Sequence, residues 1–484
     1  MSDEILLNIT PQETRVAVVE NGVVQEVIIE RTSRKGLVGN IYKGKVNRVL
    51  PGMHAAFVDA GLDRGAFLHL SDLSSKEAEK LGSNNIDCLL TEHQDIVVQV
   101  IKDPLGSKGA RLTTELSIPS RYMVYLPYSL ACGISQRIEC EEERMRLKEC
   151  LDGFQEQFDT GAFIARTAAE SVDEDVLRSD MMFLVKLWNS INERIQDVSR
   201  GTLIHSDLPL SIRALRDLYR EKIEKIRVDS RETYQSLVAF AEEFLPEVTG
   251  TIEHYAGERP IFDIFGIEDD IQKALDRKVF LKSGGDLVFD QTEAMTTIDV
   301  NTGGYVGKRS LEETIFKTNL EAVQTIVRHL RLRNLGGIII IDFIDMRDEG
   351  HKLQVLNALE KHLEKDHAKT SVTEVSVLGL VEMTRKRTRG SLQNILCEPC
   401  ATCDGRGFLK TAETTCLEIF REIIREAKQY NMESLLVLAS NEVVEILLDE
   451  KASALSELEK FLGVRIRFRA ESQYTQEQYD VVLL

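Results

Sequence analysis

Thr296-Thr297-Ile298-Asp299-Val300-Asn301, opening into Thr302-Gly303-Gly304, and Ile338-Ile339-Ile340-Ile341-Asp342-Phe343 are the stretches that decide how this chain of 484 residues is read. Each has strand character up to its aspartate. Between them, Ile315, Ala322, Val323, Ile326, Val327 and Leu330 fall on one face at helical spacing and predict a helix over 311–330. Ser310 followed by Glu313 makes a capping box at its start, and Gly336-Gly337 stops it. The unit is strand, helix, strand. Four isoleucines in a row predict a strand buried on both faces, where an unpaired carboxylate is costly. If the two strands are neighbours, Asp299 and Asp342 converge on one point and a cation compensates both.

Mg²⁺ suits that point, because it takes hard oxygen ligands, commonly one or two carboxylates with water and substrate phosphate. Asn301, two residues past Asp299, projects from the same strand face and is placed to orient a water or a phosphate oxygen. An aspartate at a strand end is also a common helix cap or turn residue, and spacing alone leaves both readings open.

The length predicts several domains, since single cores stop growing near ~250–300 residues. With 60 basic against 79 acidic side chains, the net charge of −19 excludes a generic polyanion-binding surface, so any nucleic-acid contact has to be local. Three clusters are candidates, Lys43/Lys45/Arg48, Arg328/Arg331/Arg333 and Arg385/Lys386/Arg387/Arg389, each of which also reads as a solvated face. The acidic start Met1-Ser2-Asp3-Glu4 is followed by no secretory h-region, and no apolar stretch approaches the ~18 residues of a membrane span. The expectation is a cytoplasmic protein without a membrane partner.

Eight cysteines in a reducing compartment argue against a disulfide framework. Cys88, Cys132, Cys140 and Cys150 are scattered, but Cys397-Glu398-Pro399-Cys400-Ala401-Thr402-Cys403-Asp404-Gly405-Arg406-Gly407 contains a knuckle. Its glycines permit the tight turn that aims the Cys400 and Cys403 thiolates at one zinc. Tetrahedral zinc needs four ligands. Either Cys397 and Cys416 join within the chain, or a second chain donates its own pair across a two-fold axis.

Along the chain, residues 1–35 alternate apolar and polar positions and turn at Asn21-Gly22. Closely spaced short strands with glycine turns over 36–114 suggest a small β-barrel of the oligonucleotide-binding kind. Phe57 and Phe67 are its candidates for base stacking, or else core residues, with Lys108 for phosphate. Residues 115–210 mix strands and charged helices, 211–245 read as helical, and from about 412 a small α/β domain follows.

Thr297-Ile-Asp-Val-Asn301, the run Glu312 to Glu321, Leu330-Arg-Leu-Arg333, Ile341-Asp-Phe-Ile-Asp-Met346 and the knuckle together resemble the ribonuclease E/G family of bacterial endoribonucleases. Asn40-Ile-Tyr-Lys-Gly-Lys45 and Ala55-Ala-Phe-Val-Asp59 are similar to its S1 domain, so the resemblance covers nearly the whole chain. The stretch from Arg389 to Cys400, and the length without a scaffold tail, resemble the shorter G branch.

The resemblance implies an α/β multidomain fold: a ribonuclease H-like subdomain (1–35 and 211–274), an inserted S1 barrel (36–114) and a 5′-sensor (115–210). A DNase I-like catalytic subdomain (275–396), a zinc link (397–411) and a small C-terminal domain (412–484) follow. It assigns Asp299 and Asp342 to magnesium, Asn301 to catalysis, and Phe57, Phe67 and Lys108 to RNA. Arg166 and Thr167 match a pocket that reads a 5′-monophosphate, with Val124 and Ser120 at its edge; Ser120 replaces a glycine of the E branch. Cys400 and Cys403 match the zinc pair, with Ala401 where proline is usual and Cys397 additional to the E pattern.

The activity implied is magnesium-dependent cleavage of single-stranded RNA to 5′-phosphate and 3′-hydroxyl ends, in ribosomal RNA 5′-end maturation and messenger decay, by a homodimer or tetramer. Two other readings are a non-catalytic RNA-binding regulator built on the barrel and knuckle, and a metal-dependent deoxyribonuclease. An intact Asp299, Asn301 and Asp342 set weighs against the first.

Overall fold

The computed structural model describes residues 3–33, 35–73, 85–104, 109–158, 160–220, 222–304, 311–376, 378–386, 389–430 and 433–484. Ser310 of the expected capping box and Lys108 lie outside them. The architecture is mixed α/β and divides into two compact units, Met1–Leu396 and Cys397–Leu484.

The hairpin at Asn21-Gly22 forms with both residues at positive φ, 52° and 77°, the twist that tight two-residue loops require. Its strands belong to a five-stranded sheet in the order Ile252–His254, Ile223–Val228, Asp3–Ile9, Glu13–Glu20, Val23–Arg31. The chain therefore returns after some two hundred residues to complete its first sheet. Asp229 fastens the return: its carboxylate accepts from Asn8 Nδ2 at 2.6 Å and from the Ile9 amide at 2.8 Å. This corrects the helical reading of 211–245, because Ile223–Val228 is a strand paired in parallel with Asp3–Ile9.

Between the two halves of that sheet lies a closed five-stranded barrel of Ile41–Leu50, Ala55–Asp59, Ala66–His69, Arg111–Thr113 and Asp95–Lys102, shut by pairing of its first and last members. Thr202–His205 adds to the outer edge of Ile41–Leu50. Val46, Ala56, Val58, Leu68, Val98 and Leu112 fill the interior. A four-stranded sheet follows in the order Gly133–Ile134, Ala162–Ala165, Met123–Leu126, Ile118–Pro119, backed by the helices Glu141–Phe158 and Glu174–Asp197.

The stretches quoted first lie side by side in a six-stranded sheet. Its order is Lys278–Phe280, Asp286–Gln291, Met295–Asn301, Gly337–Asp342, Leu380–Arg385, Thr370–Val375, with the two middle strands parallel and all other pairs antiparallel. The helix between them, Leu311–Leu332, lays Ala322, Val323, Ile326, Val327 and Leu330 against one face of the sheet, joined by Val355, Leu359 and Leu363 of the helix Glu349–Leu363. Burying each of these valine, leucine and isoleucine side chains is worth about 1.5–3 kcal/mol, which fixes the register of the sheet over its helices.

The opposite face is open, and here the isoleucine run is corrected. Ile339 and Ile341 are fully buried but Ile338 is 47% exposed, so the strand is covered on one side only. The predicted basic clusters change meaning too. Arg331, Arg333 and Arg385 are buried, Arg331 on Glu20 at 2.8 Å, Arg385 on Asp366 at 2.6 Å and Arg333 on His329 Nδ1 at 3.0 Å. These three join strands and helices rather than face solvent, whereas Lys386 is exposed and Arg387 lies outside the described residues.

In the second unit, the helix Ala412–Gln429 packs on a three-stranded sheet ordered Arg465–Ala470, Ser434–Ala439, Tyr479–Leu483. No helix among the described residues is long and apolar enough to cross a membrane.

Candidate active site and nucleic-acid interface

Asp299 and Asp342 are register partners across the parallel pair, so their side chains rise from the open face next to each other. Burial, then the negative charges of Asp299 and Asp345, push the Asp342 carboxyl above its ordinary value. Accumulated negative charge of that kind is relieved by a cation. Asn301 stands two residues on, its Nδ2 donating to Asp299 Oδ2 at 2.9 Å. The next turn needs glycine: Gly303 has φ 55°, and a Cβ there would strike the Gly284 carbonyl.

Among the described residues no group of three or more His, Cys, Asp or Glu forms a ready metal cage. An oxygen-only set of two carboxylates and a carboxamide fits magnesium, which keeps water and phosphate among its ligands, better than a metal that wants a complete protein cage.

The loop that leaves Asp342 is held from below. Asn319, fully buried in the Leu311–Leu332 helix, donates Nδ2 to the Ile344 carbonyl at 2.8 Å and accepts the Ile344 amide on Oδ1 at 3.2 Å. Glu312, near the start of the same helix, accepts the amides of Arg347 at 2.9 Å and Asp348 at 3.3 Å. Neither residue was singled out from sequence. An asparagine on the apolar stripe of a helix was the one available signal.

On the barrel, Phe57 and Phe67 are cross-strand partners with ring centroids 6.1 Å apart and planes at 70°. Phe57 is 37% exposed and Phe67 half-buried, which decides for surface over core. The same row continues to Arg48 opposite Phe57 and Arg111 opposite Phe67. Arg48 is exposed, while Arg111 is held by Asp72 at 2.7 Å. The surface combines aromatic faces with positive charge, as binding of single strands requires.

Arg166 and Thr167 follow the strand Ala162–Ala165, with Thr167 exposed and its hydroxyl 3.1 Å from that of Ser135. Arg166 is aimed by the Ser120 carbonyl and by Asp217 at 2.9 Å. Val124 is half-buried and pairs with Ile164 and Pro119. Ser120 turns inward at 7% exposure, its hydroxyl bonded to the Met123 carbonyl at 2.9 Å and to the Asp180 carboxylate. Its backbone, not its side chain, touches Arg166. Burial, against the opposing pull of Ser120, two backbone amides and Arg166, raises Asp180 to about 6.

In the second unit the Cys400 thiol is exposed and held below its ordinary range by the backbone amides of Cys403 and Thr402, while Cys403 Sγ accepts from the Gly407 amide at 3.3 Å. Amides directed at two sulfurs are the local geometry of a thiolate pair that suits zinc. Cys416 is not part of it. Fully buried among Ile419, Val437 and Val443, its thiol points to the Val443 carbonyl at 3.6 Å, and burial raises it to about 11. The alternative in which Cys416 completes a zinc site within the chain is thereby corrected.

Paired carboxylates on an open sheet face, in a unit whose barrel offers aromatic and basic side chains, are an arrangement suited to a nuclease. A profile of the ribonuclease E/G family matches residues 117–388, and one of the ribonuclease E/G thioredoxin-like domain matches 399–483. The chain is 52% identical to ribonuclease G of Escherichia coli K12 over all of both chains, and 50% identical to ribonuclease G of Haemophilus influenzae over 99% of each. It is 36% identical to ribonuclease E of Escherichia coli K12, covering 99% of this chain and 46% of that one. The chain belongs to the ribonuclease E/G family.

Proposed function

We propose that this chain is a magnesium-dependent endoribonuclease that cuts single-stranded RNA, prefers 5′-monophosphorylated ends, and leaves 5′-phosphate and 3′-hydroxyl products. The endoribonuclease class, in RNA processing, follows from family membership at about half identity over the full chain. The observation that carries the mechanism is the register pairing of Asp299 with Asp342.

Magnesium held by Asp299 and Asp342 would neutralise the charge that builds on the phosphoryl oxygens as water attacks phosphorus and the 3′-oxygen leaves. The protein's part is positioning. Asn301 holds Asp299 and offers its amide to a phosphate oxygen, while Asn319 and Glu312 fix the loop beyond Asp342. Phe57, Phe67 and Lys108 hold the strand, and Arg166 with Thr167 reads its 5′-phosphate beside Val124, Ser120 serving through its carbonyl.

In domain terms, the five-stranded sheet is the ribonuclease H-like subdomain, the barrel is S1, the four-stranded sheet is the 5′-sensor and the six-stranded sheet is the DNase I-like catalytic subdomain. Cys400 and Cys403 bind structural zinc together with the same pair of a second chain, giving a homodimer. The setting is the cytoplasm, and the substrates are ribosomal RNA precursors and messengers.

Matched single-stranded RNA and DNA, incubated in Mg²⁺ with the wild type and with Asp299→Asn and Asp342→Asn, test this. RNA should be cut and DNA spared, and both variants should lose cleavage while retaining RNA affinity. Near-normal turnover by either variant at saturating Mg²⁺ would remove the metal assignment.

A further inference from the structure

The edge strand Lys278–Phe280 carries side chains that the proposed chemistry leaves unused. Register across the sheet runs Lys278, Val288, Asp299, Asp342 in one row and Phe280, Asp286, Asn301 in the next. Residues directly opposite in paired strands share a face. Lys278 and Phe280 therefore stand on the same open face as the catalytic carboxylates. At ~4.8 Å per strand, Phe280 lies about 10 Å from Asn301, and the Lys278 row about 14 Å from Asp342.

Phe280 is 75% exposed, and Lys278 Nζ lies 5.4 Å from its ring centroid. The same ammonium pairs with Asp286 at 3.0 Å, masking the carboxylate that sits between Phe280 and Asn301. Lys282, in the turn that follows, is exposed, and its ammonium has no partner among the described residues. A lysine on a sheet edge is an ordinary guard against edge-to-edge pairing. The exposed phenylalanine adds a bare aromatic face beside two cations, the combination on which a single-stranded nucleic acid stacks.

We propose that Phe280, flanked by Lys278 and Lys282, is a stacking platform for one base of the RNA, a second aromatic contact apart from the barrel pair. With stacked bases rising ~3.4 Å each, the base it holds is roughly three to four nucleotides from the scissile phosphate. The cations meet the phosphates on either side of that base. The inference rests on Asp299 and Asp342 being the cleavage centre.

The test uses the full chain and a 5′-monophosphorylated oligoribonucleotide with one cleavage site, made as a series with a single abasic residue at successive positions. Phe280→Ala should raise KM roughly five- to tenfold, with kcat within about twofold and an unchanged melting temperature. Phe280→Trp should preserve KM, and Lys282→Ala should steepen it less than Phe280→Ala. One abasic position should cost the wild type the same factor yet cost Phe280→Ala nothing more. Equal abasic penalties for both enzymes at every position, or an unchanged KM, would overturn the platform. So would a change of mass by light scattering with KM unaltered, since the ring would then be a contact between chains. Asp299→Asn in the same assay separates the two levels: an inactive Asp299→Asn beside a normal Phe280→Ala removes the platform alone, whereas an active Asp299→Asn removes the cleavage centre beneath it.

Discussion

The side-chain amide of Asn319 satisfies both backbone groups of Ile344, donating at 2.8 Å and accepting at 3.2 Å. A helix on the covered side of the sheet thus reaches through to set the loop that begins at Asp342. Asn319→Ala should lower kcat at least tenfold and raise the Mg²⁺ requirement, because Ile344 loses its anchor while Asp342 keeps its carboxylate. Two unsatisfied backbone groups cost about 1–3 kcal/mol each, so stability falls as well. Asn319→Asp, which restores only the accepting half, should recover melting temperature more than Mg²⁺ dependence. A Mg²⁺ titration beside thermal melting checks this.

Phe57→Ala and Phe67→Ala should each weaken single-stranded RNA binding by about 1–3 kcal/mol. Phe57 is 37% exposed, so its loss should leave the melting temperature within a degree or two, whereas the half-buried Phe67 should cost slightly more. Affinity and melting measured on the same samples distinguish stacking from packing.

Arg166→Ala should slow cleavage of 5′-monophosphorylated RNA to the rate for 5′-hydroxyl RNA. The guanidinium already shares Asp217, so a terminal phosphate has to compete with that carboxylate. Arg166→Lys, which lacks the planar fork, should recover little. An unchanged ratio of rates on the two substrates excludes this residue from end recognition.

Asp180, raised to about 6, binds a proton more tightly folded than unfolded. Its contribution to stability is therefore full below about pH 4 and is lost as pH rises through about 6. Asp180→Asn should flatten the fall in stability over that window, as read from denaturant midpoints at pH 4, 5, 6 and 7. Arg166, whose charge that carboxylate partly offsets, should not lose its grip on a terminal phosphate through Asp180 at the acid end, where the carboxyl is neutral.

Zinc should be present at one ion per two chains. Cys400→Ser combined with Cys403→Ser should remove both the metal and the dimer, whereas Cys416→Ala should lower stability and keep the metal, since that thiol lies in the core. Metal analysis with light scattering reads both. One zinc per chain in a stable monomer would overturn the shared site.

The strand, helix and strand around Asp299 and Asp342 were legible because periodicity reports which residues lie on one face. Periodicity does not report whether the other face is covered, and so Ile338 was expected to be buried. Ile223–Val228 was misread because Ile223, Ile226 and Val228 lack clean alternation; pairing with Asp3–Ile9 makes them a strand. The buried arginines follow the same rule, since Arg331 finds its acid in Glu20. The inward Ser120 and the clamp of Asn319 on Ile344 are tertiary in the same sense.

Closure of the first sheet by residues 223–228 also sets a timetable for synthesis. The bond from Asn8 to Asp229 spans 221 positions, and the inner edge of Asp3–Ile9 stays unpaired until the later strand has been made. At ~5–20 residues per second that wait lasts roughly 10–45 s. Throughout it an apolar strand edge is open to any other chain, while the barrel, whose members all lie between, has everything it needs to close. Ribosomes that stop short of residue 228 release chains whose first sheet can never be sealed, so the burden of a stalled message falls on this protein's own solubility.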